Sequence, residues 1–526
     1  MKVLLIAGLG PGHLEKEDLI GSGMDPFFSD EENKEAYLLD GINHHPSNLV
    51  YKATQEWVLK KIKQETPELI SSVLINILKN NNVEYEHIPI KLIWDNSSKK
   101  LLGKVVCLST SFMWSENMIN RAINWIKKNI KYDYLIVGGQ YCSLKKNYLI
   151  ENHKEIDFII TGDAEVSLPQ LLEILKKGKL DTIVNIPNLL YKKGDKFCET
   201  YSLYEDINKY DCPKFENNHQ IIPYTSMRGC PYSCKFCALR FCTPGWRYLS
   251  AERIIKDWKY YSKTNNAKHM DIYDSTFFIP FQKIKTLLKK LPSMNLTWEA
   301  NSRVDTPFNK EVVKELEKAN CIALYFGFES MSNKVLGYMD KKVNSNDNRK
   351  INKLFKNSEI DTMMSFIVGF PGETISEFEK TKNYLLKEHY GYYNIYVFEF
   401  EDKSMPIWED KDKFKLQIFN DNEDKLSWKH GGESWTHSGM DSETAKKLRK
   451  VAIKEIRKSN SKAIHRSWQY DFEWPLIKSL PREKNLKIEK LIDKLVFVVK
   501  DYSNDDKKIK IKEIVQELKD LNIHIR

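Results

Sequence analysis

The sequence lacks any apolar run approaching the roughly 18 to 20 residues that a membrane-spanning helix requires. Its N-terminal stretch MKVLLIAGLGPGH has an apolar run of only about seven residues before Gly and Pro, which indicates a first buried strand rather than a signal peptide. We therefore expect a cytoplasmic protein with no membrane partner, in a compartment that keeps thiols reduced.

Cysteine is also scarce, with nine in 526 residues, four of them between Cys230 and Cys242. This number and distribution exclude a secreted disulfide framework. The chain shows no internal repeat and no low-complexity tract. Apolar residues at 41%, aromatic residues at 12% and charged residues at 29% exclude disordered and collagen-like chains. The length predicts a globular protein of two to four domains, at roughly 100 to 200 residues each.

The excess of positive charge is small, because 82 basic against 72 acidic residues give only +10. It belongs mainly to the C-terminal segment from Ser442 onward, which holds 22 basic and 13 acidic residues. Solvated helix faces explain this segment, and an electrostatic docking surface is the alternative. We do not expect a nucleic-acid partner.

Two series of β-type runs alternate with helical patterns, which indicates an α/β protein. In the first series, four strands and two helices predict a doubly wound, Rossmann-like parallel sheet: Val3–Ala7, Val105–Ser109, Tyr134–Val137 and Asp157–Thr161, with helices Glu68–Lys79 and Asn117–Lys127. The second series predicts a full or partial (β/α) barrel of the TIM type. Its strands are expected at Ile221–Ser226, His269–Tyr273, Leu296–Ala300, Ile322–Phe326, Met364–Val368 and Tyr393–Phe400, with helices that include Ala251–Ser262, Gln282–Lys290 and Lys310–Lys318.

These patterns predict domains at 1–200 and 221–400, joined by a polar linker at 201–220 that contains Pro213. Residues 401–526 are expected to form a mostly helical C-terminal region. It includes the tryptophan-rich segments Ser427–Met440 and Ser467–Trp474, which would wall a substrate pocket or pack over the open side of the barrel.

Glycines follow two of the expected strands of the first series, at Gly8-Leu9-Gly10-Pro11-Gly12 and at Gly138-Gly139-Gln140. In an open parallel sheet, ligands bind beyond the carboxyl ends of the strands, where glycine permits close backbone approach. A tight turn without a ligand explains either site equally well.

The clearest chemical signal is the segment Met227-Arg228-Gly229-Cys230-Pro231-Tyr232-Ser233-Cys234-Lys235-Phe236-Cys237, which follows an expected strand. Cys230, Cys234 and Cys237 have the spacing CxxxCxxC, so one loop can offer three thiolates to an iron-sulfur cube and leave one iron open. A zinc site would need a second pair of ligands that the sequence does not supply. Cys242 would be the fourth ligand if the cluster served only electron transfer.

This segment resembles the cluster-binding motif of the radical S-adenosylmethionine (radical SAM) enzymes. Four further stretches occur in that family's order: Tyr273–Phe277, Trp298–Asp305, Gly327–Ser330 and Val368–Thr374. The resemblance implies a [4Fe-4S] cluster whose open iron binds S-adenosylmethionine, reductive cleavage to a 5'-deoxyadenosyl radical, and an electron donor such as flavodoxin or ferredoxin.

By the same resemblance, six residues are expected to contact S-adenosylmethionine: Phe236, Asp274, Arg303, Glu329, Gly369 and Gly372. A core position for Phe236, buried ion pairs or substrate contacts for the three charged residues, and a plain turn for the glycines are the alternatives.

The first 200 residues resemble the cobalamin-binding domain that precedes the radical domain in one branch of the family. The stretches that carry this resemblance are Val105–Ser111, Leu135–Gly139 and Asp157–Glu165. Contacts to cobalamin are expected from Ser109, Thr110, Ser111, Gly138, Gly139 and Gln140. The DxHxxG motif that supplies a cobalt ligand in many cobalamin proteins is absent, and His13 lies in an ordinary GPGH loop.

Together the two resemblances imply a cobalamin-dependent methyltransferase that acts on an unactivated carbon of a small metabolite or peptide. A related enzyme of rearrangement or oxidation is the second hypothesis, and a non-catalytic iron-sulfur or RNA-binding protein is the third. No catalytic acid, base or radical relay is assigned from the sequence, and the substrate itself depends on loops that meet only in the folded protein.

Overall fold

We describe the fold from a computed structural model, which describes residues 1–8, 37–39, 42–44, 67–94, 100–113, 116–194, 196–419, 434–466 and 480–521. Among the helices in these ranges, none combines the length and the hydropathy needed to cross a membrane.

The first sheet has seven strands, and its central members are short apolar runs. Val3–Ile6 and Val105–Ser109 are buried along their whole length, as expected of strands covered on both faces. Across the sheet the order is Lys196–Glu199, Leu189–Lys193, Phe158–Ile160, Tyr134–Gly138, Val105–Ser109, Val3–Ile6 and Tyr85–Ile88. The last five strands in this order run parallel, while the first two are antiparallel to their neighbours.

Helices cover both faces of this sheet, because alternate strand residues point to opposite sides. Leu4 and Val106 pack in one apolar cluster with the helix Glu116–Asn129. Val3 and Val105 pack in another cluster, with residues of the helix Ala164–Lys177. The helix Leu69–Asn80 lies on this second face. The doubly wound architecture expected from the sequence is confirmed.

The second sheet also has seven strands, all parallel, and each crossover carries one or more helices. Its order follows the chain: Ile221–Tyr224, His269–Ile272, Thr297–Ser302, Cys321–Glu329, Asp361–Val368, Gly391–Val397 and Ala463–His465. Within the described part of the chain, the first and last of these strands do not pair with each other. The sheet is therefore an open, partial version of the expected barrel.

Polar side chains at the N-termini begin several of the outer helices. Ser250, Asn309 and Thr374 each accept a hydrogen bond from a backbone N–H in the first turn of the helix that follows. The helices that accompany this sheet are Ala251–Thr264, Phe281–Lys290, Lys310–Lys318, Asn333–Tyr338, Ser345–Phe355, Ile375–Lys387 and Ser442–Ser459.

The C-terminal region is mostly helical, with Arg482–Val496, Val498–Asp501 and Asn504–Asp520. Leu486 in the first of these helices packs against residues of the second sheet. Arg482 Nε also lies 2.7 Å from Asp361 Oδ1, at the start of a sheet strand. This region thus packs directly on the second sheet.

The remaining elements are short. They are the strands Leu38–Leu39, Ile42–Asn43, Leu101–Leu102, Ile130–Lys131, Met227–Arg228, Arg247–Tyr248, Gln417–Phe419 and Ser434–Thr436, the α-helices Lys91–Trp94, Gln140–Leu144, Lys146–Asn152, Leu239–Cys242 and Lys411–Phe414, and the 3-10 helices Leu180–Asn185, Ile207–Lys209, Leu291–Met294 and Pro406–Asp410.

Four strands of the two large sheets were not expected from the sequence: Tyr85–Ile88, Leu189–Lys193, Lys196–Glu199 and Ala463–His465. All four lie at or next to a sheet edge. Edge strands carry polar residues or are very short, so their sequences give little periodic signal, and pairing with a neighbour decides their conformation.

Candidate active site between the two sheets

The carboxyl ends of both sheets face a common cavity of about 340 Å³. Five of the six residues expected at the cobalamin site line its first side, and residues that flank the three cysteines of the loop line its second side. Cys230, Cys234 and Cys237 themselves are not in the lining. The lining includes Ser109, Ser111, Gly138, Gly139 and Gln140 from the first sheet, and Met227, Arg228, Gly229, Cys242, Thr243 and Asp274 from the second. The structure therefore brings together two sets of residues that lie about 100 residues apart in the chain.

Glycine is required at one position on the side of the cavity that the first sheet forms. Gly139 has φ +108°, and a Cβ atom there would lie 2.8 Å from Ser111 Oγ and 3.0 Å from the backbone nitrogen of Thr110. Neither the conformation nor the space accommodates a side chain. The backbone of the two strand ends consequently forms a close-packed surface toward the cavity.

Thr110, the sixth expected residue, lies behind this surface. Its hydroxyl donates to the carbonyl oxygen of Gly138 at 2.9 Å and accepts from the N–H of Cys142 at 3.0 Å. Thr110 is fully buried. It holds neighbouring strand ends together, and the structure places it outside the cavity lining.

The cysteine loop begins after the short strand Met227–Arg228. Gly229 has φ +71°, and a Cβ atom there would lie 2.8 Å from the carbonyl oxygens of Thr243 and Gly245. Farther along, the N–H of Cys237 donates to the carbonyl of Cys234 at 3.2 Å, and the N–H of Lys235 donates to that of Met339 at 2.9 Å. These bonds hold the loop in a compact turn.

The chemistry of the three thiols fits an iron-sulfur cluster. All three are free, with Cys234 buried and Cys230 and Cys237 half-buried. Burial raises the pKa of the Cys237 thiol to about 11, and it also raises the pKa of Cys234, against which the charges of Lys341 and Arg303 act. Iron binding deprotonates a coordinating thiol outright. Over the described residues, no three His, Cys, Asp or Glu side chains converge as ligands of a single ion, whereas a four-iron cube distributes its thiolates over different irons.

Arg303, expected at the cofactor site, lies directly against the cysteine loop. Its Nη1 donates to Cys234 Sγ at 3.6 Å, and its guanidinium group stacks over the Tyr232 ring at 3.7 Å from the centroid. Two further donor nitrogens, Nε and Nη2, each lie 2.9 Å from a carboxylate oxygen of Asp305. The residue is therefore held rigidly with its charge next to a thiol.

Asp274 holds the segment that leads into the cysteine loop. Its carboxylate accepts from the backbone N–H groups of Ser226 at 2.7 Å and Met227 at 3.1 Å, and from the Ser226 hydroxyl. Burial raises the pKa of Asp274, while the charge of Lys283 and these hydrogen bonds lower it. In this arrangement Asp274 binds protein backbone, and contact with a cofactor stays a prediction.

Glu329 ends the strand Cys321–Glu329 in a left-handed conformation, with φ +58°. Its carboxylate is buried and pairs with Lys341 Nζ at 2.7 Å. The same ammonium group lies 5.4 Å from the ring centroid of Phe236, which is partly buried against the core. Glu329, Lys341 and Phe236 thus form one cluster beside the cysteines.

The turn from Gly369 to Gly372 is held by His437. Both glycines have φ +89°. His437 Nδ1 accepts from the N–H groups of Gly372 at 3.3 Å and Gly439 at 3.0 Å, so it carries no proton. Nε2 therefore carries the proton and donates to the Gly369 carbonyl at 3.1 Å. Burial lowers the pKa of His437 to about 4, and Trp435 stacks on its ring at 5.2 Å.

Two acids near this edge of the sheet, the buried Glu373 and the partly buried Glu399, have raised pKa values. Burial raises the pKa of Glu373 to about 8 although its Oε2 accepts from the N–H of Gly369 at 2.6 Å. Burial, with the charge of Glu401, raises the pKa of Glu399 to about 8 as well. Both groups are able to hold a proton near neutral pH.

Several functional residues were missed by the sequence reasoning. Arg228 and Arg247 pair with Asp163 and Glu165 across the cavity, and His437 closes the glycine turn. The sequence signal for the ion pairs was opposite charge within two stretches that carry the resemblances, with Arg228 in Met227–Cys237 and with Asp163 and Glu165 in Asp157–Glu165. Gly10, Gly12, His13, Trp114, residues 427–433 and the segment Ser467–Trp474 lie outside the described residues.

A known family model matches part of the second sheet, and solved structures share the fold of both sheets. Residues 224–385 match the family model of the radical SAM superfamily. An uncharacterised methyltransferase of Pyrococcus horikoshii is 26% identical over 297 residues, covering 54% of this chain and 63% of that protein. The chain thus spans less than two thirds of the length of this curated relative.

Two solved structures have the same fold over most of this chain. The radical S-adenosylmethionine methyltransferase TsrM from Kitasatospora setae, solved with cobalamin and a [4Fe-4S] cluster, has a TM-score of 0.59 at 13% identity, covering 85% of this chain and 96% of that one. The cobalamin-dependent S-adenosylmethionine radical enzyme OxsB, solved with aqua-cobalamin and S-adenosylmethionine, has a TM-score of 0.55 at 16% identity, covering 86% of this chain and 73% of that one. At these identities the likeness establishes a shared fold.

Proposed function

Because residues 224–385 are a radical SAM domain, we propose that this chain is a cobalamin-dependent radical SAM methyltransferase. Its substrate class is a small metabolite or peptide methylated at an unactivated carbon. The observation that carries this proposal is the cavity in which the strand ends of the first sheet face Arg228, Gly229, Cys242 and Thr243. These residues flank the loop of Cys230, Cys234 and Cys237 in the chain. When bound, the cluster and S-adenosylmethionine supply radical chemistry, and cobalamin supplies a transferable methyl group.

In this proposal the three cysteine thiolates hold the cluster, and nearby positive charges adjust its properties. Arg303 donates to Cys234 Sγ, and Lys341 lies close enough to lower the pKa of the same thiol. Hydrogen bonds to cluster sulfurs and positive charge favour the reduced state. In this proposal the hydrogen bond from Arg303 favours reduction of the cluster by a donor such as flavodoxin or ferredoxin, in a reducing compartment such as the cytoplasm. Asp305 and Glu329 offset part of the positive charge of Arg303 and Lys341.

Residues on the two walls orient the other ligands. In this proposal the backbone of Gly138 and Gly139, which lies in the cavity lining, contacts cobalamin. In this proposal the turn at Gly369, held by His437, and the polar groups of Asp274 and Glu329 contact S-adenosylmethionine.

The test is anaerobic reconstitution with iron, sulfide and hydroxocobalamin, followed by S-adenosylmethionine and a reductant, with products analysed by mass spectrometry. We expect about four irons per chain, retained cobalamin, and formation of 5'-deoxyadenosine or S-adenosylhomocysteine. Replacing Cys230, Cys234 and Cys237 together with alanine abolishes iron binding and cleavage.

A matched control is Cys242→Ala, which removes a thiol on the same segment that the proposal does not use. We expect it to retain the full iron content. The cluster assignment is wrong if the triple variant keeps its iron, or if Cys242→Ala loses as much iron as the triple variant. The methyltransferase assignment is wrong if the loaded wild-type protein retains no cobalamin on gel filtration.

A further inference from the structure

Two arginines stand side by side at the entrance of the cysteine loop. The strands Met227–Arg228 and Arg247–Tyr248 form an antiparallel ribbon in which Arg228 is paired directly with Arg247. Directly opposite residues of an antiparallel pair project from the same face, and like charges in this arrangement repel each other. The ribbon therefore requires negative charge close to this face.

The first sheet supplies that charge. Asp163 and Glu165 follow the strand Phe158–Ile160, where Asp163 precedes the helix Ala164–Lys177 and Glu165 lies in its first turn. A helix N-terminus stabilises negative charge through the aligned peptide dipoles. Gly162, with φ +93°, lies between the end of the strand and Asp163.

The four side chains form a connected ion-pair cluster, which we name the clasp. Arg228 binds both oxygens of Glu165, with one contact at 3.0 Å, and its Nη1 lies 3.0 Å from Asp163 Oδ1. Arg247 binds the other oxygen of Asp163. The side chains of Asp163, Glu165 and Arg247 are 12%, 11% and 11% exposed, so little solvent screens the pairs.

The clasp joins both walls of the cavity at the cluster loop. Arg228 is separated from Cys230 only by Gly229, whose conformation is constrained by backbone atoms on its far side. Asp163, Glu165 and Arg228 all line the cavity. From the second sheet, Asp274 holds the same segment at Ser226 and Met227. The chain leading to the first cysteine is thus fixed to both sheets at once.

We propose that the clasp is a positioning device that couples cobalamin in the cavity to the geometry of the cluster loop. This inference rests on the proposed function, because it requires both groups to bind. A ligand seated against the first sheet holds Asp163 and Glu165 in place, and these carboxylates hold Arg228 and the loop of Cys230. Any such coupling is reciprocal, so the loaded loop also favours cobalamin.

The experiment compares full-length, cluster-loaded variants under anaerobic conditions. Glu165→Gln keeps the shape of the side chain but removes its charge, and Arg228→Lys keeps the charge but loses the two-pronged contact. The matched control is Glu173→Gln on the same helix, which breaks the exposed pair with Lys177. For each protein we measure iron content, the dissociation constant of hydroxocobalamin, and the electron paramagnetic resonance spectrum of the reduced cluster with and without cobalamin.

We expect Glu165→Gln to weaken cobalamin binding by roughly 5- to 150-fold, the usual range of coupling between sites. Cobalamin changes the cluster spectrum of the wild type, and this change is reduced in Glu165→Gln while the iron content stays constant. Arg228→Lys shows a smaller loss in the same direction, and Glu173→Gln behaves as the wild type.

Three results would overturn the inference. If both clasp variants match the wild type in cobalamin affinity and in cluster spectra, the clasp does not couple the two sites. Loss of iron in Glu165→Gln would mean that the clasp serves only the folding of the loop. An equal weakening of cobalamin binding in Glu173→Gln would mean that any loss of negative charge on this helix has the same effect. If instead the wild type and Glu173→Gln both fail to bind cobalamin, the proposed function itself is wrong, a result distinct from these three.

Discussion

The hydrogen bonds of His437 allow two substitutions that separate its two ring nitrogens. In His437→Asn the side-chain oxygen occupies roughly the place of Nδ1, while in His437→Gln the amide nitrogen reaches roughly the place of Nε2. His437→Asn therefore keeps the acceptor for the N–H groups of Gly372 and Gly439, and His437→Gln keeps only the donor to Gly369. The amides of Gly372 and Gly439 are therefore expected to lose protection in His437→Gln and to keep it in His437→Asn.

The expected size of the change in amide exchange follows from the burial of His437 and from the lengths of its two hydrogen bonds at Nδ1. His437 is 6% exposed, so water cannot replace the lost acceptor. An unpaired buried N–H costs about 1–3 kcal/mol, and every 1.4 kcal/mol changes an equilibrium by about tenfold. The Gly439 bond is 3.0 Å long and the Gly372 bond is 3.3 Å, so the larger effect is expected at Gly439.

The assay is hydrogen–deuterium exchange with single-amide resolution. In His437→Gln, exchange of the Gly439 amide rises roughly 10- to 100-fold, because local opening costs less free energy. The exchange rate of the Gly372 amide rises less in this variant. In His437→Asn the exchange rates of both amides stay within a few-fold of the wild-type rates. If both variants expose the two amides equally, or if His437→Asn exposes them more, the hydrogen-bond argument is refuted.

Three further outcomes are expected. His437 has a pKa lowered from 6.5 to about 4 by burial, so its contribution to stability is complete above pH 6.5 and is lost as the pH falls toward 4, by up to roughly 3 kcal/mol. The urea midpoint of the wild type falls over that window, and that of His437→Gln falls less. Glu373 has a pKa raised from 4.5 to about 8, so its contribution is complete below pH 4.5 and is lost as the pH rises through 8. Glu373→Gln keeps its urea midpoint between about pH 5 and 8 better than the wild type, and an equal pH dependence of the two midpoints would contradict the assignment. Gly139→Ala, which forces a contact with Ser111, lowers cobalamin retention on gel filtration without loss of iron, whereas Gly178→Ala, with φ +67° and no atom within 4 Å of its added Cβ, retains cobalamin as the wild type does.

The sequence predicted the central strands of the sheets better than the strands at their edges. The expected strand Val105–Ser109 agrees with the structure residue for residue, and the helix Lys310–Lys318 does as well. Both have strong local patterns, a continuous apolar run and a capped amphipathic helix. Ala463–His465 has only three residues, and it becomes a strand only because Gly391–Val397 lies beside it.

The candidate site shows the same division between local and long-range information. The residues of the cysteine loop are adjacent in the chain, so their spacing alone indicates a cluster motif. Asp274 and Arg303 were expected near a cofactor, and the structure places them against Ser226 and Cys234. Their burial and their partners come from other strands, which no local pattern specifies.

The sequence by itself therefore determined the alternation of strands and helices, the cysteine spacing and the glycines at the strand ends, since each is a local property of backbone and side chain. Only the tertiary structure decided that the ends of two sheets share one cavity. Arg228 contacts Glu165, 63 residues away in the chain, and His437 contacts Gly369, 68 residues away. Such pairs form only once apolar burial has docked the separate elements, because the pairing energy of a few charges is too small to order so long a chain segment.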